Sequence, residues 1–185
     1  MSELATYIRS ASELQPNFTY ALPYESRRLH EQVQGIRDKR HILSGHISDA
    51  MEQSSETWHD NAPADALFGE MYQLDSRESS LAVAARFLIK VPYPTAEIGF
   101  VTIGTRVECE MAGEVFKIDI TGNAPLSRDE EDHDEVERGS IDAPMPRGLL
   151  GALPNTEFLL DINGRTLEIG IVGIDQDAQR LAYEV

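Results

Sequence analysis

Residues 54–63 read Ser-Ser-Glu-Thr-Trp-His-Asp-Asn-Ala-Pro, which sets two carboxylates, Glu56 and Asp60, around Trp58 and His59. Trp58 is the chain's only tryptophan, a residue normally spent on a core or an interface. A second group is cationic. Between residues 25 and 41, Arg27, Arg28, Arg37, Lys39 and Arg40 outnumber Glu25, Glu31 and Asp38. Such a patch is either a solvated helix face or a surface for an anionic partner. The third group, Asp129–Glu137, is acidic at every position but His133 and Val136. It has neither the glycine turn nor the spaced ligands of a calcium loop, and mutual repulsion makes it a mobile, solvated loop. His30, His41, His46 and His133 show no zinc-ligand spacing. Cys109 is the only cysteine, so no internal disulfide and no cysteine-based zinc site can form.

The elements that position the first two groups are written in heptads. No proline falls between Glu25 and Glu52, and Leu29, Val33, Ile36, Leu43, Ile47 and Ala50 form a helical seam interrupted at Arg40. A second seam runs Leu67, Met71, Leu74, Leu81, Ala85 and Leu88, interrupted at Glu78. Folding one back on the other pairs Leu29 with Leu88, Val33 with Ala85 and Ile36 with Leu81. It also pairs Leu43 with Leu74, Ile47 with Met71 and Ala50 with Leu67, and every pair shares a midpoint at Trp58 and His59. The interruptions match as well: Arg40 falls opposite Glu78, which predicts an ion pair that fixes register more than it stabilises. The spacing thus predicts an antiparallel coiled-coil hairpin over 25–90, about 45 Å long, with its tip near 54–63. A tryptophan at that far end is placed for contact with a partner.

Beyond the hairpin the pattern changes. Pro92 and Pro94 end the helical periodicity, so 91–97 reads as a linker. Gly99–Ile103, Arg106–Glu110, Val115–Ile120, Phe158–Ile162 and Leu167–Ile174 read as strands, with Asn163-Gly164 as a hairpin turn. Pro144–Gly151 reads as a short helix. Residues 1–24 form an extension with no pattern beyond a short helix around Glu3–Leu14. The class is α+β: a helical hairpin followed by a small strand-rich domain over 98–185.

Composition limits the rest. The net charge of −16 argues against simple coating of nucleic acid, and the acid excess is concentrated late: 9 basic and 14 acidic residues lie up to 97, 7 and 18 beyond it. Apolar runs such as Leu81–Ala85 are far too short to span a membrane. The opening residues show no secretory pattern, so the expected address is cytoplasmic.

Hairpin, linker and strand-rich domain, in that order, resemble the bacterial Gre transcript-cleavage factors. The resemblance covers roughly residues 25–174 and rests on two motifs. The family's tip motif is Gly-Asp-x-x-Glu-Asn-Ala, and Asp60-Asn61-Ala62 stands where its Glu-Asn-Ala would be. The second-domain motif is Ser-Pro-x-Gly-x-Ala-Leu-Leu-Gly, matched here by Ala143-Pro144-Met145-Pro146-Arg147-Gly148-Leu149-Leu150-Gly151. Three departures are plain: Thr57 occupies the family's Asp position with Glu56 one residue away, Pro146 replaces a Gly, and Ala152 replaces a Lys.

The resemblance implies an FKBP-like second domain and a factor that inserts its hairpin into the secondary channel of RNA polymerase. There Glu56 and Asp60 would help hold a second magnesium ion, so that the polymerase hydrolyses backtracked RNA. The factor itself would be no enzyme and carry no cofactor of its own. Trp58, His59 and Asn61 would meet the polymerase, and Arg27, Arg28, Arg37, Lys39 and Arg40 the nascent RNA 3′ end. The implied state is a monomer with no membrane partner. Two alternatives stay open: a non-cleaving Gre-like inhibitor, favoured by Thr57, and an adaptor that docks its hairpin on another protein. An isomerase reading of the second domain is disfavoured, because Phe100, Phe116, Phe158 and Tyr183 form no evident aromatic pocket cluster.

Overall fold

The computed structural model describes residues 7–54, 62–95, 98–126, 136–162 and 164–183. They divide into two units: Arg27–Arg86, and Met1–Ser26 with Phe87–Val185.

The helical unit is built from α1 (Pro23–Ser54) and α2 (Ala62–Arg86). Leu29, Val33, Leu43 and Ile47 of α1 and Ala64, Leu81 and Ala84 of α2 are buried. Ile36, Leu67, Met71 and Leu74 are half-buried, the exposure expected where two helices share a single apolar stripe. The helices run antiparallel: Arg37 reaches Glu78, and Arg40, three residues on, reaches Asp75, three residues back. The second seam is shorter than its heptads suggest. α2 ends at Arg86, and Leu88 lies in a strand.

The strand-rich unit holds a five-stranded sheet of β3 (Arg106–Met111), β4 (Glu114–Thr121), β5 (Glu137–Ser140), β6 (Glu157–Ile162) and β7 (Arg165–Asp175), in the order β5-β4-β3-β7-β6. Only the β4–β5 pair is parallel. The β3–β4 connection is a two-residue turn in which Ala112 and Gly113 both have positive φ, 54° and 84°, the geometry that matches the twist of a hairpin. Helices α3 (Pro144–Leu149) and α4 (Ala178–Tyr183) complete the unit. Its core gathers Val101, Ile103, Val107, Ile118, Ile120, Ile141, Leu149, Ile169 and Ile171.

Several expectations are corrected here. Of the N-terminal residues, Ile8, Tyr20, Leu22 and Tyr24 belong to the core of the strand-rich unit. Strand β1 (Thr19–Ala21) pairs in parallel with β2 (Leu88–Lys90). The helix expected around Glu3–Leu14 is, among the described residues, a 3-10 turn at Ala11–Glu13. Gly99–Ile103 is not a strand. Val101 donates to the Ala152 carbonyl and accepts from Gly151, so this buried run is satisfied by the loop after α3 and not by a ladder. The segment read as a linker is also structural, since Val91 is 3% exposed and its N–H donates to Ala21.

Candidate functional site

Four side chains cross between α1 and α2. Arg37 Nε donates to Glu78 Oε1 at 2.8 Å, and Arg40 Nη1 to Glu78 Oε2 at 2.5 Å. Arg40 Nε lies 2.6 Å from Asp75 Oδ1. The Glu78 side chain is only 16% exposed, and it sits on the seam where an apolar residue would otherwise stand. The Arg37 hydrogen bond, and then that of Arg40, hold its carboxyl below the ordinary value of 4.5. Partly exposed ion pairs contribute little net stability. Their consequence is register: no neighbouring turn of α1 offers Glu78 two guanidinium groups.

This arrangement divides the basic patch. The structure brings Arg40 together with Glu78, and commits both Arg37 and Arg40 to carboxylates of α2. Arg27 and Lys39 are exposed on α1, and Arg28 is half-buried. The tip residues Glu56, Trp58, His59, Asp60 and Asn61 lie outside the described residues, as does most of the acidic run after Arg128. Among the described residues, no group of three or more His, Cys, Asp or Glu side chains is arranged to hold a metal ion.

The second motif has two halves. Leu149 and Leu150 are buried in the core, and Gly151 turns the chain with φ +85°, a conformation that favours glycine. Pro144 opens α3 at its first position. Pro144 and Arg147 are exposed. Proline at 146, where the resemblance expects glycine, is itself buried against Gly139.

Several positioning residues carry no sequence motif. Tyr24, in the first turn of α1, stacks on Tyr183 of α4 at 4.3 Å, and Arg138 caps Tyr183 from β5. Burial, first of all, pushes the Tyr24 hydroxyl far above its ordinary value. Burial likewise pushes the Cys109 thiol up to about 11, which makes it a poor nucleophile. Gln179, fully buried, donates to the carbonyls of Thr105 and Ile120. The signal for the N-terminal strand was present in Thr19-Tyr20-Ala21-Leu22, a β-favouring run stopped by Pro23.

Together these features define an α+β chain in which a two-helix unit interrupts a strand-rich one. No known family model matches it, and no curated protein matches it either. Solved structures do. The GreA factor homolog 1 (Gfh1) protein of Thermus thermophilus is 21% identical with a TM-score of 0.39, over 85% of this chain and 99% of that one. Thermus aquaticus Gfh1 is 22% identical with a TM-score of 0.40, over 85% and 98%. The transcription elongation factor GreA/GreB from Nitrosomonas europaea is 20% identical with a TM-score of 0.33, over 84% and 98%. Among the described residues, no helix is long and apolar enough to cross a membrane.

Proposed function

We propose that this protein is a Gre-type elongation factor that binds bacterial RNA polymerase and presents residues 55–61 to its active site through the secondary channel. The observation that carries the reading is the antiparallel register set by Arg37 and Arg40 against Glu78 and Asp75. Between the ends of the helices so aligned, Ser54 and Ala62, the chain carries the tip motif, and the second motif follows at 143–151 in the order the family has. Carboxylates are suitable ligands for magnesium, and Glu56 and Asp60 would supply them to an ion held by the polymerase. The chemistry stays with the polymerase. This chain positions two acids and, with Trp58 and His59, fills the channel. Of the basic residues, Arg37 and Arg40 could turn to RNA only by breaking the α1–α2 pairs, whereas Lys39 is exposed on α1.

Thr57 supports a second reading. With no acid at that position, the protein would occupy the channel and slow the enzyme without stimulating cleavage. Binding of purified core polymerase at low salt tests the shared part of both readings, and failure to bind favours an adaptor for another protein. The variant Asp60→Ala is expected to bind as the parent does. A loss of cleavage stimulation in that variant supports the first reading.

A further inference from the structure

Helix α2 carries two heptad stripes, and the pairing with α1 uses one of them. Leu67, Met71, Leu74, Glu78 and Leu81 are buried or half-buried, on the side where Glu78 meets Arg37 and Arg40. Asp65, Gly69, Tyr72, Ser76, Ser79, Val83 and Arg86, spaced by 4, 3, 4, 3, 4 and 3 residues, run down the opposite side. Every one of them is exposed.

A helix face turned to water is usually charged. That of α1 is: Arg27, Glu31, Asp38, Lys39, Asp49 and Glu52 are exposed along it. The second stripe of α2 differs. Between its two ends it carries no charge, in a chain whose net charge is −16, and it leaves Tyr72 74% and Val83 59% exposed. The exposed residues on its flanks, Ala66, Gln73 and Ser80 on one and Phe68 and Ala82 on the other, are uncharged too. Asp75, beside them, is already held by Arg40.

Heptad spacing suits a second helix, and the order of these residues selects which. Laid antiparallel on another α2, the stripe sets Tyr72 against Ser76, Gly69 against Ser79 and Phe68 against Ala82. Large side chains of one half thus meet small ones of the other, and two-fold symmetry makes each contact twice. The charges at the stripe's ends are opposite, Asp65 in the first turn and Arg86 in the last. The antiparallel arrangement brings each Asp65 within a turn of the second copy's Arg86 and opposes the two helix dipoles. A parallel pair would instead stack Tyr72 on Tyr72 and set like charges together. We propose that the solvent side of α2 is a self-association surface, on which a second copy of this chain packs its own α2 antiparallel. The inference does not depend on the elongation-factor reading.

Sedimentation equilibrium of the full chain tests it, in about 0.2 M salt to screen the like net charges. The mass is expected to rise from one chain towards two between about 5 and about 500 µM protein. Ser76→Lys, at the middle of the stripe, is expected to weaken association about tenfold or more, and Ser48→Lys, on the exposed face of α1, to leave it unchanged. Orientation is read by crosslinking, since Cys109 is buried. Mild oxidation of Ala66→Cys mixed with Ser80→Cys is expected to give a covalent dimer, and Ser80→Cys alone is not. A single-chain mass throughout, equal effects of the two lysines, or crosslinking of Ser80→Cys alone as readily as in the mixture would each overturn the proposal.

Discussion

The backbone carbonyl of Arg9 occupies the place that a side chain on Gly151 would take. The Tyr20 carbonyl does the same at Gly122. Two glycines of the strand-rich unit thus accept the backbone of the N-terminal segment directly, and β1 completes the closure by pairing with β2. The segment is part of this unit's core and not an appendage.

Substitution at that contact has a definite consequence. Gly151→Ala combines a left-handed backbone, φ +85°, with a Cβ that the Arg9 carbonyl excludes. It is expected to destabilise the unit by about 2 kcal/mol or more, and to speed tryptic cleavage after Arg9 by loosening the segment. Denaturant unfolding and limited proteolysis read the two effects. Unchanged proteolysis would mean that the segment is held elsewhere.

Glu25 anchors the start of α1. Its carboxylate, 4% exposed, accepts from the Leu22 N–H at 2.8 Å and the Gly122 N–H at 3.2 Å, the first of these being the backward half of a capping box. Glu25→Ala leaves two buried donors unsatisfied and is expected to cost about 3 kcal/mol. Glu25→Gln, which keeps an acceptor, is expected to cost clearly less. Equal losses in the two variants, by urea denaturation, would contradict the hydrogen-bonding account.

The α1–α2 pairs predict a pH dependence. Because Glu78 titrates below its ordinary 4.5 in the folded chain, its contribution is present above that value and is lost as pH falls through the lowered one. Thermal unfolding of Glu78→Gln should therefore fall slightly below the parent at pH 7 and converge with it in acid. A gap that stays constant down to pH 3 would show that the carboxylate's charge is not what matters.

Long local repeats made the two helices legible. The two seams and their breaks at Arg40 and Glu78 could be read from spacing, and the motif at 143–151 from the family resemblance. What could not be read is short or distant. β1 and β2 are three residues each, too brief for a periodic signal, and they pair across the whole helical unit. Gly99–Ile103 has strand composition, yet Gly104, at φ +97° with Pro94 packed against it, turns the chain before a ladder can form. β5 is the polar run Glu-Arg-Gly-Ser at a sheet edge, which apolar alternation does not reveal. Arg37 and Arg40, read from composition as part of a basic patch and given to RNA only by the family resemblance, are held by acids that only the fold brings near.

The central claim is tested most directly on a stalled, backtracked elongation complex, with release of the RNA 3′ fragment followed over time, with and without this protein. The account predicts action on that complex. Fragment release that is lost in Asp60→Ala would give Glu56 and Asp60 a role as metal ligands, and slowed elongation without release would mark a channel-occupying modulator in which Thr57 has replaced an acid. No effect on either cleavage or elongation would contradict the assignment to polymerase.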